Sequence, residues 1–374
     1  MSDRGGATGG DVREPWVAQP CAAPHGSGRG GGHGVGRRQF LQQAGQSALA
    51  MGAAACTAPW ALAGHGPTAF ETAAKGTPES LVKLLYESLS PKQRETICFA
   101  WDHKDRERGL LRTRVDANWL ITDKIVNSDF YKREQQELVR AIFHGIVAPE
   151  WHERYNREQQ DDCGGFGEHN SIAIFGTPGD EKCEFVLTGR HMTLRCDGNT
   201  AEHVAFGGPI FYGHDPSGTL EEKADHQGNV FWPQAVEANK LYEALDGRQR
   251  QIALIPAAPY ESDVALRGAA GPFEGIPISE LSSDQKERVQ AVLRKLIEPF
   301  RQSDRDEAVA CLKAQGGIDA CRLAFYQDED IGSDGVWDNW RLEGPSFVWH
   351  YRGAPHVHVW VHVADSPNVK LNVP

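Results

Sequence analysis

From residue 77 onward the apolar positions recur every three to four residues. Leu81, Leu84, Leu85 and Leu89 form one stripe, preceded by Thr77 as a cap and Pro78 in the first turn, so a helix is predicted there. Ser90-Pro91 opens a second helix. Ser128-Asp129 opens a third, with Leu138, Ile142 and Ile146 on one face, and Pro149 starts a fourth that stops before Gly164-Gly165. The period then shortens to two. Residues 171–175 read as a short apolar strand, 177–180 (Thr-Pro-Gly-Asp) as a turn, and 184–187 with 191–196 as a long return strand. A Gly/Pro-rich loop is expected over 207–226, then helices over 233–245 and 279–300. Strands follow over 322–326, 346–351 and 356–363, the last two joined by Arg352-Gly353-Ala354-Pro355. Helices kept apart from antiparallel strands predict one large α+β domain, an antiparallel sheet flanked by helices.

The chain also echoes itself. Leu85-Tyr86-Glu87-Ser88-Leu89 leads to Gln93-Arg94, and Leu241-Tyr242-Glu243-Ala244-Leu245 leads to Gln249-Arg250. Residues 281–286 make a looser third copy. Each reads as helix, capped turn, helix, at a spacing too irregular for a solenoid.

Ahead of this domain the pattern is of another kind. Residues 5–36 are Gly-rich and low in complexity. Arg37-Arg38-Gln39-Phe40-Leu41 follows, then an uncharged Ala/Gly-rich stretch ending Ala61-Leu62-Ala63. An arginine pair, a weakly apolar run and an A-x-A site in that order are the parts of a twin-arginine signal peptide. We therefore expect residues 1–63 to be leader plus signal peptide, 64–76 a linker and 77–368 the folded domain, exported to the periplasm or beyond with the twin-arginine export machinery as a partner. Cys56 after three alanines faintly resembles a lipidation box without its usual leucine. The run is too polar and interrupted to remain as a membrane span.

Charge narrows the function classes. The chain carries 39 Lys/Arg against 51 Asp/Glu, a net −12, and removing the leader makes the remainder more acidic still. Such a surface repels phosphate backbones, so no nucleic-acid partner is expected. Six cysteines follow the leader: Cys98, Cys163, Cys183, Cys196, Cys311 and Cys321. An even count in an exported chain permits disulfides, with Cys311 and Cys321 bracketing a loop. Buried free thiols fit equally well, and the absence of CxxC argues against a thiolate zinc site.

The clearest chemical signal is His356-Val357-His358-Val359-Trp360-Val361-His362-Val363. In a strand, alternate residues share a face, so the valines make one face and His356, His358, Trp360 and His362 the other. Neutral imidazoles spaced in this way suit zinc, copper or iron, although two histidines on a sheet face can equally be structural hydrogen-bonding groups. His191, on a predicted strand, is the first choice for a third ligand. His214, His350, His169 and Glu168 are lesser candidates, and Glu343 is a candidate fourth ligand or general base. No Walker loop, dinucleotide-binding glycine motif, nucleophile elbow or H-E-x-x-H is present. Trp337, Trp340, Trp349 and Trp360 cluster near the histidine-bearing tail and suit core packing or a ligand wall.

Three segments together resemble a bacterial family known as domain of unknown function 3500. They are residues 185–194 (Phe-Val-Leu-Thr-Gly-Arg-His-Met-Thr-Leu), residues 342–347 (Leu-Glu-Gly-Pro-Ser-Phe) and His356-Val357-His358. The helices leading to Gln-Arg and Phe175-Gly176-Thr177-Pro178 fit it too, and the resemblance spans about residues 80–367. It implies His191, His356 and His358 as the site residues. Arg190 stands where the family has a first histidine, and Glu343 where it has glutamine. Two functions are carried forward. One is a metal-dependent enzyme acting on an unidentified small molecule. The other is a non-catalytic periplasmic binding or accessory protein.

Overall fold

The computed structural model describes residues 76–198, 201–215, 228–328, 330 and 336–369. The expected leader, Arg37-Arg38, Cys56 and nearly all of the linker lie outside these residues.

Local signals set the helix starts. In α1 (Pro78–Ser88) the Thr77 hydroxyl accepts the Ser80 N–H, and Leu81, Val82 and Leu85 are buried. α2 (Pro91–Ile97) begins with a reciprocal cap between Ser90 and Gln93. Three short strands follow, β1 (Cys98–Phe99) at once and then β2 (Lys104–Asp105) paired with β3 (Gly109–Leu110). α3 (Arg133–Ile146) starts later than predicted, because Ser128 spends its hydroxyl on the Ile125 carbonyl in a preceding turn. α4 (His152–Cys163) ends at Gly164, whose φ of +82° a glycine adopts without strain. Then come β4 (Asn170–Gly176), β5 (Cys183–Gly189), β6 (Met192–Cys196) and β7 (Ile210–His214), the last inside the segment expected to be loop.

The second half repeats this plan. α5 (Trp232–Glu243) and α6 (Gly247–Ala253) lead straight into β8 (Leu254–Ile255), and β9 (Ile276–Pro277) lies on the way to α7 (Ser283–Ile297) and α8 (Gln302–Ala314). Four consecutive strands close the chain: β10 (Arg322–Tyr326), β11 (Asn339–Gly344), β12 (Phe347–Arg352) and β13 (Val357–Val363). α8 and β11 were not predicted.

All of these strands except the separate β2–β3 pair form one sheet in the order β1-β4-β5-β6-β7-β13-β12-β11-β10-β8, with β9 pairing β10. The order is palindromic. From either edge a two-residue strand is followed by a four-strand antiparallel run, and the halves meet at the β7–β13 pair. The sequence echo marks the first helix pair of each half, and its capping glutamines are joined in the same way. Gln93 donates to Gln135 at 2.8 Å in one half, and Gln249 to Gln285 at 3.1 Å in the other.

The purely antiparallel sheet expected from the sequence is corrected here to a mixed one. β1 runs parallel to β4 (Cys98↔Ile174), and β8 runs parallel to β10 (Leu254↔Phe325). Parallel pairing needs a long crossover, and each edge strand is separated from its partner by a pair of helices and long loops. A two-residue strand at the end of a helix has no alternation to read, so neither edge was visible in the pattern.

The helices cover one sheet face and bury Ile172, Phe185, Leu194, Tyr212, Trp349 and Val359 in the main core. The other face is covered by the connections around 111–121 and 264–266, where Leu111, Trp119 and Ile121 pack on Ala173, Phe175 and Val186, and Val115 and Val264 on Phe211 and Trp360. Buried polar groups gather on this second face, among them Glu184, Arg195, Arg341, His350, His358 and His362. Among the described residues no helix is long and apolar enough to cross a membrane. The six cysteines there are free thiols, so Cys311 and Cys321 are not paired; Cys321 instead accepts the Gln315 amide at 3.2 Å.

Candidate metal centre

Three histidines from two distant parts of the chain meet at the junction of the two halves. Pairing of Gly189 with Met192 leaves only Arg190 and His191 to turn the β5–β6 hairpin. His191 therefore sits in the turn and not on the predicted strand, and its φ of +48° is uncommon for a residue with a side chain. Its carbonyl accepts the Gly213 N–H at 3.1 Å. A Cβ on Gly213 would stand 2.2 Å from the Val357 carbonyl oxygen, so a residue without a side chain is what lets β7 close against β13 here. His358 lies on β13 opposite Gly213 on one side and Arg352 on the other, with His356 just ahead of the strand.

The ring centroids are 5.2 Å apart for His191 and His356, 5.1 Å for His191 and His358, and 4.6 Å for His356 and His358. One nitrogen from each ring lies within 4.8 Å of the others. Nε2 of His356 and Nε2 of His358 are 2.9 Å apart, near the roughly 3 Å that separates neighbouring nitrogens bound 2.0–2.1 Å from one ion.

The opposite nitrogens are fixed by carboxylates. His191 Nδ1 donates to both oxygens of Asp162, at 3.0 and 2.9 Å. His358 Nδ1 donates to both oxygens of Glu261, at 3.0 and 3.1 Å. Each bond places the proton on Nδ1 and leaves the Nε2 lone pair for the cluster. Each carboxylate is also shared with an arginine, Asp162 with Arg190 at 3.1 Å and Glu261 with Arg352 at 3.3 Å. Burial alone would raise the Asp162 carboxyl, but His191 and Arg190 overcome this and hold it below its ordinary value. Burial, reinforced by the neighbouring imidazoles and Arg352, keeps His356 and His358 far below the usual histidine range. His356 and His358 are therefore neutral, the form that binds metal.

The other candidates lie elsewhere. His214 is buried at the end of β7, its Nε2 3.3 Å from Asp161 and its Nδ1 3.7 Å from Glu158, outside the three-histidine group. His350 accepts the Arg341 Nε–H at 3.2 Å. His362 is fully buried two positions beyond Trp360, and burial followed by Arg195 and Arg341 pushes it down to about 3. Glu343 faces Arg267 at 3.3 Å and Arg341 at 3.7 Å, in the row of Val348 and His362 and not of His358, so it is not part of the cluster. Glu168 and His169 are exposed.

Asp162, Glu261 and Arg352 were not read from the sequence. Asp162 had a usable signal, since Glu158, Gln159 and Asp162 share the buried face of α4 with Tyr155. Polar residues at core-facing helix positions need partners. Glu261 and Arg352 had none, because a loop glutamate and a strand-end arginine are ordinary until the fold brings them to the histidines.

Residues 77–364, which include every strand described above and all three histidines, match the family described as "Protein of unknown function (DUF3500)". No curated protein and no solved structure matches the chain. With the match covering most of its length, this chain belongs to the DUF3500 family.

Proposed function

We propose that this protein is a metal-dependent enzyme whose centre is one divalent transition-metal ion held by Nε2 of His191, His356 and His358. The observation that carries this reading is the pair of carboxylate–imidazole bonds, Asp162 to His191 and Glu261 to His358, which turn two buried lone pairs toward a third imidazole. A ring needed only for packing has no use for that arrangement, whereas ligating histidines are held this way as a rule. Three imidazole nitrogens with no carboxylate oxygen among them suit zinc, copper or iron and not calcium or magnesium. Three protein ligands leave a further position open, the pattern of catalytic rather than structural sites. When bound, such an ion supplies Lewis acidity and activates water at neutral pH. The chain's own part is to fix the ligand tautomers through Asp162 and Glu261, and to shut bulk water out by packing Phe211 against His191 and His358 at 6.5 and 5.1 Å between ring centroids.

Elemental analysis of the purified protein, before and after chelation and reloading with zinc, copper or iron, tests the centre. About one ion per chain is expected. Failure to retain any after reloading would end the proposal. Turnover of ester, peptide and phenolic substrates then tests the enzyme, and an ion bound without turnover of any class would make the protein a carrier instead. We propose further that the protein is loaded before twin-arginine export. The support is Arg37-Arg38 and the Ala61-Leu62-Ala63 end of the leader, together with the preference of imidazole sites for copper, which a site meant for another ion avoids by filling first.

A further inference from the structure

Arg352 stands against the three-histidine cluster, and one of its nitrogens is left without a partner there. It is the cross-strand neighbour of His358. Its Nη2 lies 3.4 Å from Nε2 of His356, the nitrogen assigned to the metal, and its Nη1 lies 3.3 Å from Glu261. Its Nε is buried and makes no hydrogen bond. The side chain is 19% exposed, so this guanidinium faces the site largely out of water. An ion about 2.0–2.1 Å from His356 Nε2 would lie no farther than about 5.5 Å from Nη2. Two positive charges at that separation repel in a partly dry site, and the single Glu261 carboxylate is already shared between His358 and Arg352. A bound anion between them relieves the repulsion. A carboxylate has the right span, with one oxygen toward the ion and the other accepting from the guanidinium at about 2.8 Å.

We infer that the centre takes a carboxylate-bearing ligand, substrate or product, with Arg352 as the residue that selects it. This rests on the metal reading above and deepens it. Arg352 touches the ligand and supplies the charge that a neutral ligand does not need.

The test uses the full folded protein loaded with Co2+, whose visible absorption reports changes at the ion. Formate is titrated as the carboxylate probe and imidazole as a neutral ligand, in wild type, Arg352→Gln and Arg352→Lys. Loss of one charge-assisted bond should weaken formate about tenfold or more in Arg352→Gln, while imidazole stays within about twofold and Arg352→Lys falls between. Equal formate binding in wild type and Arg352→Gln overturns the inference. So does a parallel loss of formate and imidazole, which marks Arg352 as structural. If the wild type takes up no Co2+, the metal reading itself fails and this inference falls with it. Uptake without formate discrimination leaves the metal reading standing and removes only Arg352.

Discussion

Asp162 receives the Nδ1–H of His191 on both of its carboxylate oxygens, at 3.0 and 2.9 Å, and so decides which nitrogen of that ring faces the other two histidines. Glu261 does the same for His358. Neither carboxylate belongs to the three-histidine group itself. Asp162→Asn and Glu261→Gln keep the shape of each contact and remove its charge. Each should lower metal affinity about 10- to 100-fold, read by competition with a chromophoric chelator. Affinities equal to wild type in both variants would show that these carboxylates do no more than support the fold.

His356→Ala combined with His358→Ala should abolish metal binding and leave the fold. The strand is held from its other face, where Val357, Val359, Val361 and Val363 are buried in the main core. Metal content beside a thermal melt reads both effects. Metal retained at the wild-type level would remove these residues as ligands, whereas an unfolded mutant from a wild type without metal would favour a purely structural role.

A second buried charge group lies on the same sheet face. Glu184, fully buried, binds Arg112 at 2.7 Å and Arg195 at 3.0 Å, and Arg195 also donates to the Pro209 and Arg114 carbonyls at 2.7 and 2.6 Å. Removing the carboxylate strands two guanidinium groups inside the protein. Glu184→Ala should therefore cost about 3–5 kcal/mol in denaturant unfolding, more than Glu184→Gln, which keeps hydrogen-bonding atoms in place. A loss under about 1 kcal/mol would mean that the arginines find water or other partners.

Glu307 on α8 gives a pH signature of its own. Burial, with Asp197 nearby, pushes its carboxyl from 4.5 up to about 7, although it accepts the Phe206 N–H at 3.0 Å. Between these values the folded protein binds more protons at this site than the unfolded chain, so the contribution of Glu307 to stability falls as pH rises through that window. Glu307→Gln keeps the acceptor and cannot ionise. It should match wild type near pH 4.5 and gain on it steadily up to about pH 8 in melting temperature. A difference that does not change with pH would show that Glu307 does not titrate there.

Export has its own test. Replacing Arg37 and Arg38 by lysine keeps the charge but not the guanidinium pair, and should leave precursor in the cytoplasm when fractions are compared by immunoblot. Unchanged export would rule out the twin-arginine route.

Where the sequence was legible, the signals were local. Thr77-Pro78 and Ser90-Pro91 announced α1 and α2 because capping needs only neighbouring residues. The alternation of Val and His over β13 predicted its two faces because side chains of a strand alternate whatever it pairs with. The repeated Leu-Tyr-Glu helices were visible, yet the palindrome they belong to was not, since the strands of the two halves share topology and little wording. β11 went unread because Asn339-Trp340-Arg341-Leu342-Glu343 alternates apolar residues with buried charges that look like surface.

By itself the sequence determined which face of β13 carries His358, Trp360 and His362, and that the valines between them would hold that strand in a core. Tertiary structure alone decided that His191 leaves its strand for a left-handed turn, that Glu343 faces Arg267 and Arg341 away from the cluster, and that Asp162, Glu261 and Arg352 surround it. The physical reason is range. Helix caps and strand alternation depend on residues within a few positions of one another. A metal centre depends on where β6 and β13 come to lie on either side of β7 in the sheet, and on which loop is laid over them, and those are set by the packing of the whole chain.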